Sequence, residues 1–125
     1  MTPSERRVLI VDDEAEFLAM LREALEVRGF KIDTASNGVE CGLALATNKP
    51  DLILMDVKMR GINGFQACEA IRKNPATSNI PLIIVSALSS DSDTKKAHKA
   101  GATDYFVKPV NIENLVNKIK DILHI

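Results

Sequence analysis

Neither sign of charge is in excess: 16 basic residues face 17 acidic ones, for a net charge of −1. That removes any bulk electrostatic basis for binding nucleic acid or a membrane surface, so an anionic ligand has to be held locally. Long apolar runs are missing as well. None approaches the roughly 20 residues of a membrane span, and the N-terminal "MTPSERR" has no apolar leader core, which points to a cytoplasmic protein. Cysteine is scarce. Cys41 and Cys68 lie outside any CxxC pair and have no histidine nearby, so metal-ligand spacing is absent and both read as small buried apolar residues. His98 and His124 each lack a second ligand at helical spacing and read as solvated surface groups. No linker rich in proline, glycine or serine, no repeat and no low-complexity segment divides the chain.

What is present is a 46% hydrophobic, 26% charged sequence of 125 residues, the length and balance of one domain with its own core, spanning 1–125. Short apolar runs alternate with helical patterns five times. The first strand covers 7–11, and the helix after it sets Phe17, Leu18, Leu21 and Leu25 on one face before Gly29, a natural left-handed cap. "FKIDTA" alternates Phe30, Ile32 and Thr34 with polar residues, as an edge strand does. A helix over 38–46 precedes "LILMD", apolar until Asp56. After a Gly-containing loop, a helix over 64–73 turns Phe65, Cys68 and Ile71 inward, and "PLIIVSA" supplies a fourth buried strand ending at Ser86. A polar loop and a short helix over 94–100 lead to "DYFVKP", closed by Lys108 and Pro109. Asn111 then caps a last helix that buries Leu115, Ile119, Ile122 and Leu123.

Strands separated by right-handed helical crossovers make a parallel sheet, and five units are too few for an eight-fold barrel. The expected fold is therefore α/β, a doubly wound five-stranded parallel sheet with helices on both faces. Such sheets bind ligands beyond the carboxyl ends of their strands, at the switch point of strand order. Asp12, Asp13, Asp56, Ser86 and Lys108 all fall at those ends. Two carboxylates about 4 Å apart repel by ~4 kcal/mol at an effective dielectric of about 20, so such a cluster needs cations beyond Lys108. A hard divalent ion that takes oxygen ligands, most simply Mg²⁺, meets the need. One Asp as nucleophile, others on the metal, a hydroxyl and an ammonium are the parts of an aspartyl-phosphate site, where the protein supplies mainly positioning and charge neutralisation. Taken singly, Asp13 is a turn former, Tyr105 a packing residue, and Lys95, Lys96 and Lys99 a solvated helix face.

As a set, "VLIVDDE", "DLILMDVKM", "PLIIVSA" and "GATDYFVKP" resemble the receiver domain of two-component response regulators over essentially the whole chain. The resemblance implies the flavodoxin-like strand order 2-1-3-4-5, which the chemotaxis regulators exemplify. It implies that Asp56 is phosphorylated by a sensor histidine kinase or a phosphotransfer protein, with Mg²⁺ held by Asp12, Asp13, Asp56 and the main-chain carbonyl of Lys58. It assigns Ser86 and Lys108 to the phosphoryl group, Ser86 and Tyr105 to the conformational switch, and a cis bond between Lys108 and Pro109. The protein is then a signalling phosphoacceptor that acts only on itself and controls an output or partner, without direct contact to nucleic acid or membrane. One departure is visible, since Arg60 and Gly61 stand where family members often carry proline.

Two other classes share parts of this pattern. A Mg²⁺-dependent phosphohydrolase with an aspartyl nucleophile would carry a DxD motif, but Asp56 is followed by Val57 and Lys58. A flavin-binding electron carrier would carry a hydroxyl-rich phosphate loop after the first strand, where "DDEAEF" instead repels phosphate.

Overall fold

The inner strands alternate their side chains between two apolar layers, which is why they read as continuous hydrophobic runs. In β1 (Arg7–Val11), Val8 and Ile10 join one buried cluster while Leu9 and Val11 join the other. The computed structural model describes residues 6–125, so the leader reading of "MTPSERR" falls mostly outside the described residues. The chain continues through α1 (Ala15–Val27), β2 (Lys31–Ala35), α2 (Gly38–Thr47) and β3 (Leu52–Met55). A hairpin of β4 (Lys58–Met59) and β5 (Ile62–Asn63) precedes α3 (Gly64–Lys73), and then follow β6 (Leu82–Ser86), α4 (Asp91–Ala100), β7 (Asp104–Val107) and α5 (Ile112–Leu123).

Five strands form one parallel sheet in the order β2-β1-β3-β6-β7. Counting only these five, the order is the expected 2-1-3-4-5, with the switch point between β1 and β3. One layer packs Leu21, Leu25, Leu115, Val116 and Ile119 from α1 and α5 against Val8, Ile10, Leu52, Leu54 and Ile83. The other packs Cys41, Cys68, Ile71, Ala97 and Ala100 from α2, α3 and α4 against Leu9, Val11, Ile53, Met55 and Ile84. Both cysteines are buried, and both histidines are exposed.

The helix ends follow their local chemistry. Gly29 takes φ +97° just past α1, Asn37 accepts from the Glu40 N–H, and Asn111 accepts from the Asn114 N–H. Helix α4 begins three residues before the expected start because Ser90 and Asp93 form a capping box, a signal present in "SSDSD". In α5, Val116 is buried while Ile122 sits half-buried at the margin of its cluster. Phe17 and Leu18 are likewise half-buried.

The largest difference from expectation lies over 58–63. The Gly-containing loop is a two-stranded antiparallel hairpin that turns at Arg60 and Gly61, with Gly61 at φ +72°. The Lys108–Pro109 bond is cis.

Gly64 is buried where α3 starts against the end of β3, and its N–H donates to the Val57 carbonyl at 2.9 Å. A methyl group there would collide with the Val57 Cα and the Asp56 carbonyl oxygen, whereas one at Gly42 in α2 would meet nothing within 4 Å. Gly64→Ala is therefore expected to lower stability by about 1–3 kcal/mol, as overpacking does. Gly42→Ala is expected to raise it by about 0.4–1 kcal/mol through the unfolded chain. Urea midpoints followed by circular dichroism measure both, and a neutral Gly64→Ala would disprove the close approach.

Candidate functional site

The carboxyl ends of the strands are held by ladder bonds that run one residue past the strands themselves. The Asp12 N–H donates to Ala35 at 3.0 Å, the Asp56 N–H to Val11 at 3.0 Å, and the Lys108 N–H to Ser86 at 2.8 Å. Val11 is paired with Met55 in register, so Asp12 and Asp56 emerge side by side across the switch point. Both are almost fully buried, and Ser86 is completely so.

Lys108 reaches across from β7 and ties these ends together. Its Nζ donates to Asp12 Oδ2 at 2.7 Å, to Glu14 Oε1 at 2.7 Å and to Asp56 Oδ2 at 3.2 Å. An ammonium has three protons, and here three carboxylates take them. The Phe17 ring centroid lies 4.2 Å from the same nitrogen, so the aromatic face backs the cation. The second oxygens are held locally: Asp12 Oδ1 accepts from the Glu14 N–H at 2.9 Å, and Asp56 Oδ1 from the Lys58 N–H at 3.0 Å.

Burial pushes the Asp12 carboxyl above its usual range, against the opposing pull of Lys108 and the Glu14 N–H. For Lys108 burial works against the charge, but hydrogen bonds to Asp12 and Glu14 outweigh it, and the proton is held more tightly than on a free lysine. The asymmetry follows from numbers. One cation collects three anions, while each anion shares that cation with two others.

The structure brings Asp12, Asp56 and Lys108 together and adds Glu14, which the sequence reading did not assign. Ligand oxygens of Asp12, Glu14 and Asp56 lie within 4.8 Å of one another, an all-oxygen donor set of the kind a hard divalent cation takes. Glu14 is the third acid of "DDE", so the signal was adjacent to the residues chosen. Asp13, half-buried, makes no bond to Lys108; its Oδ2 accepts from the Arg60 N–H at 2.9 Å and so fastens the β4–β5 turn.

Ser86 and Tyr105 bond the backbone of one residue, Leu88, on the two peptide groups that flank its Cα. The Leu88 N–H donates to Ser86 Oγ at 3.2 Å, and the Leu88 carbonyl accepts from the Tyr105 hydroxyl at 2.6 Å. Burial raises the Tyr105 phenol above its ordinary value.

A family model described as the response regulator receiver domain matches residues 8–120. The chain is 42% identical to the protein PilH of Pseudomonas aeruginosa over 118 residues, covering 94% of this chain and 97% of that protein. It is 32% identical to the phosphate regulon transcriptional regulatory protein PhoB of Rhizobium meliloti, covering 94% of this chain and 52% of PhoB, about half of that longer regulator. Among solved structures, a two-component response regulator from Clostridium difficile matches with a TM-score of 0.90 at 31% identity, covering 95% of this chain and 96% of that one. The chemotaxis protein CheY4 of Vibrio cholerae matches with a TM-score of 0.88 at 27% identity, covering 94% and 98%.

The raised Asp12 carboxyl is a destabilising charge in the folded state. Its cost is present above the raised folded value and disappears as pH falls to the ordinary carboxylate value of 3.8. Asp12→Asn is accordingly expected to melt higher than the wild type at neutral pH without metal, by about 4 °C for each kcal/mol relieved. The gap should close on acidification. Calorimetric melts across pH measure it, and a lower-melting Asn variant at neutral pH would show that the bond to Lys108 outweighs burial.

Proposed function

The chain belongs to the response regulator receiver domain family, and from that premise we propose that Asp56 takes a phosphoryl group from a phosphohistidine on a sensor kinase or phosphotransfer protein. The single observation that carries this reading is the convergence of Asp12, Glu14 and Asp56 on the one ammonium of Lys108 at the switch point of the sheet. Asp56 Oδ1 is engaged by the Lys58 N–H, which leaves Oδ2 as the attacking oxygen, held by the longest of the three contacts to Lys108. As Oδ2 bonds to phosphorus, the P–N bond breaks and its electron pair returns to the donor imidazole. Lys108 then pairs with a phosphoryl oxygen in place of the carboxylate, and the Ser86 hydroxyl donates to another.

Asp12, Glu14 and Asp56 would hold Mg²⁺, which when bound neutralises charge on the phosphoryl oxygens. Asp13 and the Lys58 carbonyl complete the proposed set, and Asp13 joins it by releasing the Arg60 N–H. Phosphorylation and its reversal are the chain's own chemistry, performed on itself. The output is a conformational change that controls an attached domain or a separate protein in a cytoplasmic pathway.

The Ser86 bond alone cannot drive that change. A charge-assisted hydrogen bond contributes about 1.5–3 kcal/mol, whereas moving an equilibrium from 1:99 to 99:1 takes about 5.5 kcal/mol. Lys108 and nearby backbone amides supply the rest, pulling on an added charge of about −1.5 to −2. Once Ser86 turns to the phosphoryl group it releases the Leu88 N–H, and the loop that anchors Tyr105 is free to shift.

Acetyl phosphate with Mg²⁺ is expected to add one phosphoryl group to the wild type and none to Asp56→Asn, read by intact mass. Equal labelling of the Asn variant would overturn the assignment. Ser86→Ala is expected to accept the group yet to show only part of the wild-type NMR response around Tyr105 with beryllofluoride. A complete response there would exclude the hydroxyl from the switch.

A further inference from the structure

Helices α3 and α4 leave between them a groove of about 790 Å³ that runs from the loop after β6 to the C-terminal turn of α4. One end is closed by covalently distant but firm contacts. Arg72 Nε donates to the Gly101 carbonyl at 2.8 Å, its Nη1 donates to the Ile80 carbonyl at 2.6 Å, and Cys68 Sγ donates to the Ala100 carbonyl at 3.4 Å. The bonds to Ala100 and Gly101 satisfy carbonyls at the end of α4 and pin it to α3, while the bond to Ile80 ties α3 to the segment before β6. The Arg72 guanidinium is thereby committed to the scaffold.

The other groups along the groove are not committed. Lys73, Lys96 and Lys99 line it and make no hydrogen bond or ion pair among the described residues. Of the two acids that line it, Asp93 is engaged by the Ser90 capping box, and Glu69 is left against three lysines. A chain of net charge −1 thus carries a local cationic groove. Its apolar surface comes from Phe65 and Leu88, both half-buried against the core. A segment that carries both carboxylates and an apolar side chain matches this pairing of exposed lysines with half-buried Phe65 and Leu88.

We propose that the α3–α4 groove docks an acidic protein segment, whose apolar side chain packs against Phe65 and Leu88 while its carboxylates pair with Lys73, Lys96 and Lys99. Leu88 belongs to the groove through its side chain and to the switch through its backbone, whose N–H donates to Ser86 Oγ and whose carbonyl accepts from the Tyr105 hydroxyl. Resting on the phosphoacceptor reading of Asp56, the groove then changes its grip on the segment when Ser86 releases Leu88.

The probe is a synthetic Glu-rich peptide with one central Phe, titrated into the full chain by NMR, with a Gln-for-Glu copy and phosphatidylglycerol vesicles as controls. Shifts are expected at Phe65, Leu88, Lys96 and Lys99, with binding roughly tenfold weaker in the exposed pair Lys96→Glu and Lys99→Glu, as reversed exposed ion pairs allow. Shifts centred elsewhere, equal binding of the Gln copy or of the vesicles, or indifference to the charge reversal would each overturn the groove. Beryllofluoride is added in parallel to wild type and Asp56→Asn. A peptide affinity that changes with beryllofluoride only in the wild type supports the coupling through Leu88. A peptide that binds in the groove while beryllofluoride leaves Asp56 unaffected would instead overturn the phosphoacceptor reading and leave the groove standing.

Discussion

The arrangement at the carboxyl edge of the sheet depends on one ammonium ion. Asp12 and Asp56 are buried at the ends of adjacent strands, and Glu14 sits beside them. Without a cation their mutual repulsion would open the switch point, because burial lowers the effective dielectric and strengthens like-charge terms as much as attractive ones. Lys108 holds the three together, and it can do so because the sheet order puts β7 close enough for a lysine side chain to cross β6. The balance is incomplete, since one positive charge meets three negative ones. That residual charge is what fits the site for a further cation.

The same edge is rigid in backbone and adjustable in side chain. Asp12, Asp56 and Lys108 each continue the sheet ladder by one hydrogen bond, which fixes their Cα positions as firmly as those of the strands. Gly64 adds a close approach of α3 to the Asp56 backbone that a Cβ would block. Side-chain partners, by contrast, are few and exchangeable. A phosphoryl group on Asp56, as proposed above, would compete for Lys108 and Ser86 without disturbing the frame.

The Leu88 backbone is where such an exchange would leave the pocket. Its N–H and its carbonyl are held by two side chains from different strands, Ser86 in β6 and Tyr105 in β7. Losing either bond leaves a polar backbone group to be satisfied anew, so the loop has discrete alternatives rather than a continuum. Arg72 fixes the far end of α4. A movement of this helix would therefore concentrate at the end nearest the pocket.

Much of this was legible in the residue order. Continuous apolar runs ending in Asp12, Asp56 and Ser86, with Gly29 and Asn111 as stop and start signals, define buried parallel strands and the edge on which chemistry gathers, because periodicity and capping are local properties. The capping box at Ser90 was also written in the sequence, as was Glu14, next to the two acids chosen. Tertiary structure alone decided which acids share Lys108. Asp12 and Asp13 are neighbours of one type just past the end of β1, yet Asp12 bonds Lys108 in the buried cluster and Asp13 bonds the N–H of Arg60. It also decided that the turn of the hairpin, whose ladder pairs Lys58 with Asn63 and Met59 with Ile62, is fastened at Arg60 by Asp13, a partner 47 residues away that no local pattern can name.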